Sequence, residues 1–216
     1  MRILTLTHGA DVGPELFADV AAAEGHELHA WDMQSQGEPP RDVDAVAVFG
    51  GHQNVGEEAQ YPWLHDEYAA LRGWVRDGVP VFAVCLGAQT LAHALGAPVG
   101  RLPERLAGFY PTTLTDAGAA DPVLGALPRE FEPLNGNAYS FALPADAVLL
   151  ADGPCLQAYR VGERAWAVQF HPELKRPTFL SWFPDRPLGD VGEQLTAWRP
   201  LGERLFRAFL AAASEA

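Results

Sequence analysis

Lysine is almost missing. Lys175 is the only one in 216 residues, and 15 basic against 28 acidic side chains leave a formal net charge of −13. Such a surface repels phosphate backbones, which excludes nucleic acid as a partner class. Cysteine is scarce as well: Cys85 and Cys155 are the only two. They offer no disulfide framework, and a reduced, cytoplasmic compartment is expected. No apolar run approaches the roughly 20 residues of a membrane span. The opening MRILTLTH turns polar too early to read as a secretory leader, so a soluble chain with no membrane partner is expected. There is no internal repeat and no low-complexity linker, and residues 1–216 read as a single domain long enough to bury a substantial core. With 48% hydrophobic and 20% charged residues, disorder is excluded.

What is present is a regular alternation of segments. Arg2–Thr7 reads as a first strand. Gly13-Pro14 opens a helix to about Ala23, and Gly25 closes it. Residues 26–31 read as a second strand, 34–42 as a polar, proline-bearing stretch, and 44–49 (DAVAVF) as a third strand ending in Gly50-Gly51. Over residues 63–77, Leu64, Tyr68, Leu71, Trp74 and Val75 recur at helical spacing; Gly78 stops the helix and Pro80 leads into the next strand. This alternation predicts an α/β fold: an open, mostly parallel, flavodoxin-like sheet with helices on both faces. After Gly100 the rhythm changes. Short strand-like pieces near 110–115, 147–150, 156–161 and 165–170 predict an antiparallel extension. Residues 199–213 predict a closing amphipathic helix, with Leu201, Leu205, Phe209 and Leu210 on its apolar side.

The segment VFAVCLGAQ (81–89) carries the chemistry. A strand delivers Cys85 into a Leu-Gly turn, and a helix then begins with free N–H groups and its positive dipole end beside the sulfur. That setting favours a thiolate nucleophile, and it has the strand–turn–helix logic of a hydrolase elbow. Read alone, it fits a buried structural thiol equally well. A thiolate needs a partner to move protons, usually a histidine. Of seven histidines, His171 is the one that ends a strand-like run (165–170) and is followed by Pro172-Glu173. Ligands of open α/β sheets gather at that edge of the sheet. Glu173 is placed to take the other ring N–H and hold the tautomer. His8, after the first strand, stands at the same sheet edge, and Cys155 reads as a structural thiol.

Taken together, Ala83-Val84-Cys85-Leu86-Gly87-Ala88-Gln89, the later Gln169-Phe170-His171-Pro172-Glu173, and Phe49-Gly50-Gly51 resemble the class I glutamine amidotransferase family. The resemblance runs from the first strand to about Leu174. It implies a nucleophilic Cys85, a base and acid His171, an orienting Glu173, and hydrolysis of the glutamine side-chain amide through a γ-glutamyl thioester. It implies an oxyanion hole from the backbone N–H groups of Gly51 and Leu86. Gln89, one turn after Cys85, is expected to bind the amino-acid end of the substrate, with Asn135, Gly136 and Asn137 closing over it. No metal and no cofactor is implied. The partner implied is a synthetase receiving the ammonia; a γ-glutamyl hydrolase with the same triad and a binding protein with an idle site are the alternatives, and the oligomeric state is left open. Three departures stand out: Ala83 replaces the usual glycine before the nucleophile, His52-Gln53 follows the glycine pair where proline is common, and residues 176–200 match no motif, so packing is expected of them.

Overall fold

The computed structural model describes residues 1–9, 12–182 and 188–215. The first half alternates β1 (Arg2–Thr7), α1 (Glu15–Ala23), β2 (Glu27–Asp32), a short α2 (Met33–Gln36), β3 (Ala45–Val48), α3 (Trp63–Arg76), β4 (Val81–Val84) and α4 (Leu86–Ala94). Small strands follow: β5 (Val99–Arg101), β6 (Gly108–Phe109) and β7 (Thr112–Leu114), then α5 (Asp116–Ala119), β8 (Glu130–Phe131), β9 (Leu134–Asn135) and β10 (Tyr139–Phe141). The second half is completed by β11 (Ala147–Asp152), β12 (Leu156–Val161), β13 (Ala165–Val168), α6 (Arg176–Trp182) and α7 (Leu188–Ser214).

The strands of the main sheet lie in the order β2-β1-β3-β4-β13-β12-β11-β7-β8. From β2 to β13 all neighbours are parallel, and from β13 outward all are antiparallel. The expected flavodoxin-like parallel sheet with an antiparallel extension is therefore what forms. β3, β4 and β13 are buried along their whole length because helices cover both faces. Ala47, Phe82, Val84 and Trp166 point to the layer of α1 and α7, into Phe17, Phe206 and Phe209. Val46, Val48, Ala83 and Ala167 point to the layer of α3 and α4, into Leu71, Trp74 and Leu91. Ala83 thus fits: it is fully buried beside another alanine, Ala167, with which it is in register.

Three sequence expectations are corrected. The polar stretch contains a helical turn, α2, whose N-terminus Asp32 caps by accepting the Gln34 N–H at 3.2 Å. The strand expected over 110–115 is shortened to β7 (Thr112–Leu114), since Pro111 before it has no N–H for a ladder, and a separate two-residue strand, β6, precedes it. The last helix starts well before residue 199 and carries Pro200 inside it. Leu195 and Trp198, upstream of that proline, are buried in the core, so packing holds the segment helical despite the missing donor.

Gly87 shows how tightly the elbow is built. A Cβ there would lie 2.6 Å from the Val48 carbonyl oxygen on β3, a backbone atom that cannot swing aside. Gly87→Ala gains up to about 1 kcal/mol of helix propensity but is expected to lose about 1–3 kcal/mol through overpacking. A lowered midpoint in urea is the expected result; an unchanged or raised midpoint would show that the crossing has room.

Candidate active site

Four neighbouring strands, β1, β3, β4 and β13, send their C-terminal ends to one edge of the sheet, and each is followed by a residue of the site: His8, Gly50-Gly51, Cys85 and His171. Ligand sites of open α/β sheets lie at this edge. The hydrogen bond from the Cys85 N–H to the Val168 carbonyl, 2.8 Å, ties the end of β4 to the end of β13. The backbone then turns: Cys85 has φ 53° and ψ −107°, one of two non-glycine residues with positive φ among the described residues. Such a conformation costs about 1–3 kcal/mol and persists because its surroundings hold it. The Cys85 carbonyl accepts the Gln89 N–H at 3.1 Å, and α4 starts directly after the thiol.

His171 is positioned from both sides. Its N–H donates to Leu134 O at 2.8 Å, and its own carbonyl accepts the Trp198 indole N–H at 3.0 Å. Ring atom Nδ1 lies 2.7 Å from Glu173 Oε1, and both side chains are 1% exposed. The Glu173 carbonyl accepts the Leu16 N–H at 3.1 Å, and Lys175 pairs with Asp19 at 2.7 Å, so the turn is pinned to α1. The free ring nitrogen, Nε2, makes no hydrogen bond to any nitrogen or oxygen among the described residues. The Cys85 sulfur lies close enough to act on the ring. Burial pulls the imidazole pKa down, but the Glu173 carboxylate and the Cys85 sulfur outweigh burial and raise it to about 10. At neutral pH the ring is therefore protonated. Such an arrangement can pair a thiolate with a proton donor and pass that proton to a leaving group.

The Gly50-Gly51 peptide lies against this pair. A Cβ at Gly50 would stand 3.1 Å from His171 Cε1 and 3.7 Å from Cys85 Cβ; one at Gly51 would stand 2.7 Å from Leu86 Cδ2. Only glycine allows the backbone so close. Among the described residues the N–H groups of Gly51 and Leu86 donate to no backbone carbonyl. A cleft of about 440 Å³ opens in front of them, lined by Gly51, Cys85, Leu86, Gln89, Gly136, Asn137 and Tyr139 and by two arginines, Arg101 and Arg105. Among the described residues no carboxylate lines it. A second cavity of about 260 Å³ meets it at Cys85 and reaches His171, Ser181 and Trp182.

The expected site residues are therefore brought together with one exception. Asn135 is fully buried behind the cleft wall, not on it. Its side-chain N–H groups donate to Asn137 Oδ1 at 3.3 Å and Gln157 Oε1 at 3.1 Å. It lies on β9, paired with β6, and that pairing turns its side chain inward. Gln89 does line the cleft, but its Nε2 is committed to Tyr139 O at 3.0 Å and Gln169 Oε1 at 3.2 Å, so what it offers a ligand is the carbonyl oxygen. Cys155 is not in a disulfide, and burial pushes its pKa up. Sequence reasoning missed Arg101, Arg105 and Trp182. The arginines sit in a stretch with no periodicity, although two cations so close in a chain with 15 are a signal. Trp182 approaches the His171 ring edge-on, centroids 5.1 Å apart, and Trp198 stacks on Phe131 at 6.0 Å; the unmatched segment thus packs on the site, while its residues 183–187 lie outside the described ones. Among the described residues no group of His, Cys, Asp and Glu is placed to hold a metal, and no helix is long and apolar enough to cross a membrane.

The sequence pattern of the family "Glutamine amidotransferase class-I" matches residues 16–179. The chain belongs to this family. A glutamine amidotransferase-like protein, YfeJ, of Salmonella typhimurium is 32% identical over 131 residues, 57% of this chain and 54% of that protein. A GMP synthase [glutamine-hydrolyzing] of Aeropyrum pernix is 36% identical over 177 residues, 79% of this chain and 32% of that protein. The chain thus spans from about a third to just over half of the length of these relatives. Among solved structures, a glutamine amidotransferase of Thermotoga maritima superposes with a TM-score of 0.87 at 22% identity, covering 100% of this chain and 99% of that one. One from Methylobacillus flagellatus gives 0.86 at 22% identity, covering 98% and 94%. These likenesses support the amidotransferase fold over the full length of the described sheet.

Proposed function

We propose that this amidotransferase chain hydrolyses the side-chain amide of glutamine through a γ-glutamyl thioester on Cys85 and supplies the ammonia to a synthetase. The observation that carries the reading is the buried His171–Glu173 pair, 2.7 Å apart, delivered beside a cysteine on a positive-φ elbow. Cys85 Sγ attacks the amide carbon, and the oxygen gathers negative charge opposite the Gly51 and Leu86 N–H groups. His171 gives its proton to the amide nitrogen, the C–N bond breaks and ammonia leaves. Water then attacks the thioester, His171 takes a proton from it, and glutamate departs from a regenerated thiolate. The α-carboxylate of glutamine faces Arg101 and Arg105, and its α-ammonium faces the Gln89 carbonyl oxygen; both placements suit a cleft lined by two arginines and the Gln89 side chain.

The synthetase is proposed because only 32% of a glutamine-hydrolysing GMP synthase is matched, so activation of the ammonia acceptor falls to other residues than these. The cavity beside His171 favours a second reading in which N-substituted γ-glutamyl amides are hydrolysed by the same triad. Turnover of glutamine and of γ-glutamyl anilide, measured side by side with and without candidate synthetases, separates the two. Glutamine is expected to be the better substrate. A glutamine-like chloroketone is expected to label Cys85, as located by mass spectrometry, and labelling of Cys155 instead would defeat the mechanism.

A further inference from the structure

We propose that His8 and Glu67 form a buried clamp that holds the Gly50 carbonyl from behind and so aims the Gly51 N–H at the reacting oxygen. The inference rests on the reading of Gly51 as an oxyanion donor. His8 Nδ1 lies 2.8 Å from Gly50 O, and a carbonyl oxygen only accepts, so this nitrogen carries hydrogen. Nε2 lies 2.6 Å from Glu67 Oε2 on α3, and both side chains are fully buried. The ring also stacks on Trp63, centroids 5.3 Å apart and planes 15° apart, which fixes its tilt. The His8 carbonyl in turn accepts the Gln53 side-chain N–H at 3.1 Å, binding the loop after Gly51 to the end of β1.

The Gly50-Gly51 peptide is trans, since no cis bond occurs among the described residues. In a trans peptide the C=O and the following N–H point in opposite directions. Gripping one aims the other. The need for a grip is local: two consecutive glycines give a peptide that can rotate, and a flipped peptide would present a carbonyl oxygen to the oxyanion. In front stand His171 and Cys85, the reacting groups themselves, with His171 Cε1 only 3.1 Å from where a Cβ at Gly50 would lie. The hydrogen bond that holds the carbonyl comes from behind, from His8. Burial opposes the charge on His8, but Glu67 outweighs it and the pKa is raised, and the acceptors on both sides of the ring, Gly50 O and Glu67 Oε2, match a ring that donates from both nitrogens. A buried ion pair is seldom needed for stability alone, so its cost points to a role in preorganisation. His8 and Glu67 are positioning residues; neither touches the substrate cleft.

The test compares two double variants that differ only in the donor. His8→Leu/Glu67→Leu removes the clamp without leaving a buried charge unpaired; His8→Asn/Glu67→Leu keeps an amide N–H near the position of Nδ1. Two reagents are timed against Cys85. Iodoacetamide reacts by direct displacement, whereas the glutamine-like chloroketone passes through an oxyanion. The leucine pair is expected to slow the chloroketone at least about 10-fold, with the iodoacetamide rate unchanged, and the asparagine variant to restore most of the loss. Equal slowing of both reagents, or no difference between the two variants, overturns the clamp. Should the leucine variant not fold, the wild-type chloroketone adduct still decides: the Gly51 amide proton is expected to move downfield in its NMR spectrum, with the His8 Nδ1 proton exchanging slowly, and an unmoved Gly51 signal refutes the proposal. If the wild type turns over no glutamine yet the reagents separate as expected, the glutaminase reading fails and the clamp stands.

Discussion

Cys85→Ala is expected to lower glutamine turnover on the order of 10⁵-fold to 10⁶-fold, because members of a nucleophile–base pair act as a unit. What survives is the binding and oxyanion stabilisation that the cleft still provides. Glutamine affinity measured by calorimetry should change little, since the thiol contributes no group that binds the amino-acid end. The backbone adds a second readout. Alanine inherits the φ of 53° that cysteine adopts, whereas glycine reaches it without strain. Cys85→Gly is therefore expected to be as inactive as Cys85→Ala but more stable by about 1 kcal/mol. Turnover within tenfold of wild type in Cys85→Ala would remove the thioester mechanism.

Glu173→Gln is expected to lower kcat about 10²-fold to 10⁴-fold, the range for losing the group that sets a catalytic imidazole. It also changes the pH profile in a direction the geometry dictates. Burial lowers the His171 pKa, Glu173 is the first of the groups that raise it, and the net result is about 10 against an ordinary 6.5. Without the carboxylate, burial weighs more, and the ring gives up its proton at lower pH. The alkaline limb of kcat/KM is expected to lie at lower pH in the variant than in the wild type. Stability follows the same linkage. A folded pKa above the unfolded one contributes stability that is complete below about 6.5 and is lost as pH rises to about 10. The variant should lose less on that climb. A profile that keeps its alkaline limb would mean that Glu173 does not govern His171.

Much of this site is written in adjacent residues. Cys85 and Leu86-Gly87 are a local device: a strand ends, a helix begins, and the orphan N–H groups of that helix are where they are for backbone reasons alone. His171-Pro172-Glu173 is equally local, since a carboxylate two residues on reaches its own histidine. Asn135 illustrates the limit. Its neighbours Gly136 and Asn137 line the cleft, yet the short pairing of β9 with β6 turns Asn135 inward, and strand alternation near a two-residue strand is not visible in a sequence. Helix α7 illustrates another: Pro200 argues for a boundary locally, and only the burial of Leu195 and Trp198 overrides it.

By itself the sequence determined the alternating α/β layers, the elbow at Cys85 and the His171–Glu173 couple, because each depends on residues within one or two turns of chain. Only the tertiary structure decided that β1, β3, β4 and β13 lie side by side, so that His8, Gly51, Cys85 and His171 share one edge of the sheet. It also decided that Glu67, 59 residues from His8, reaches it through the core, and that Arg101 and Arg105 enter the cleft. Those meetings depend on strand order and helix packing, which are set by burial over the whole chain and not by spacing along it.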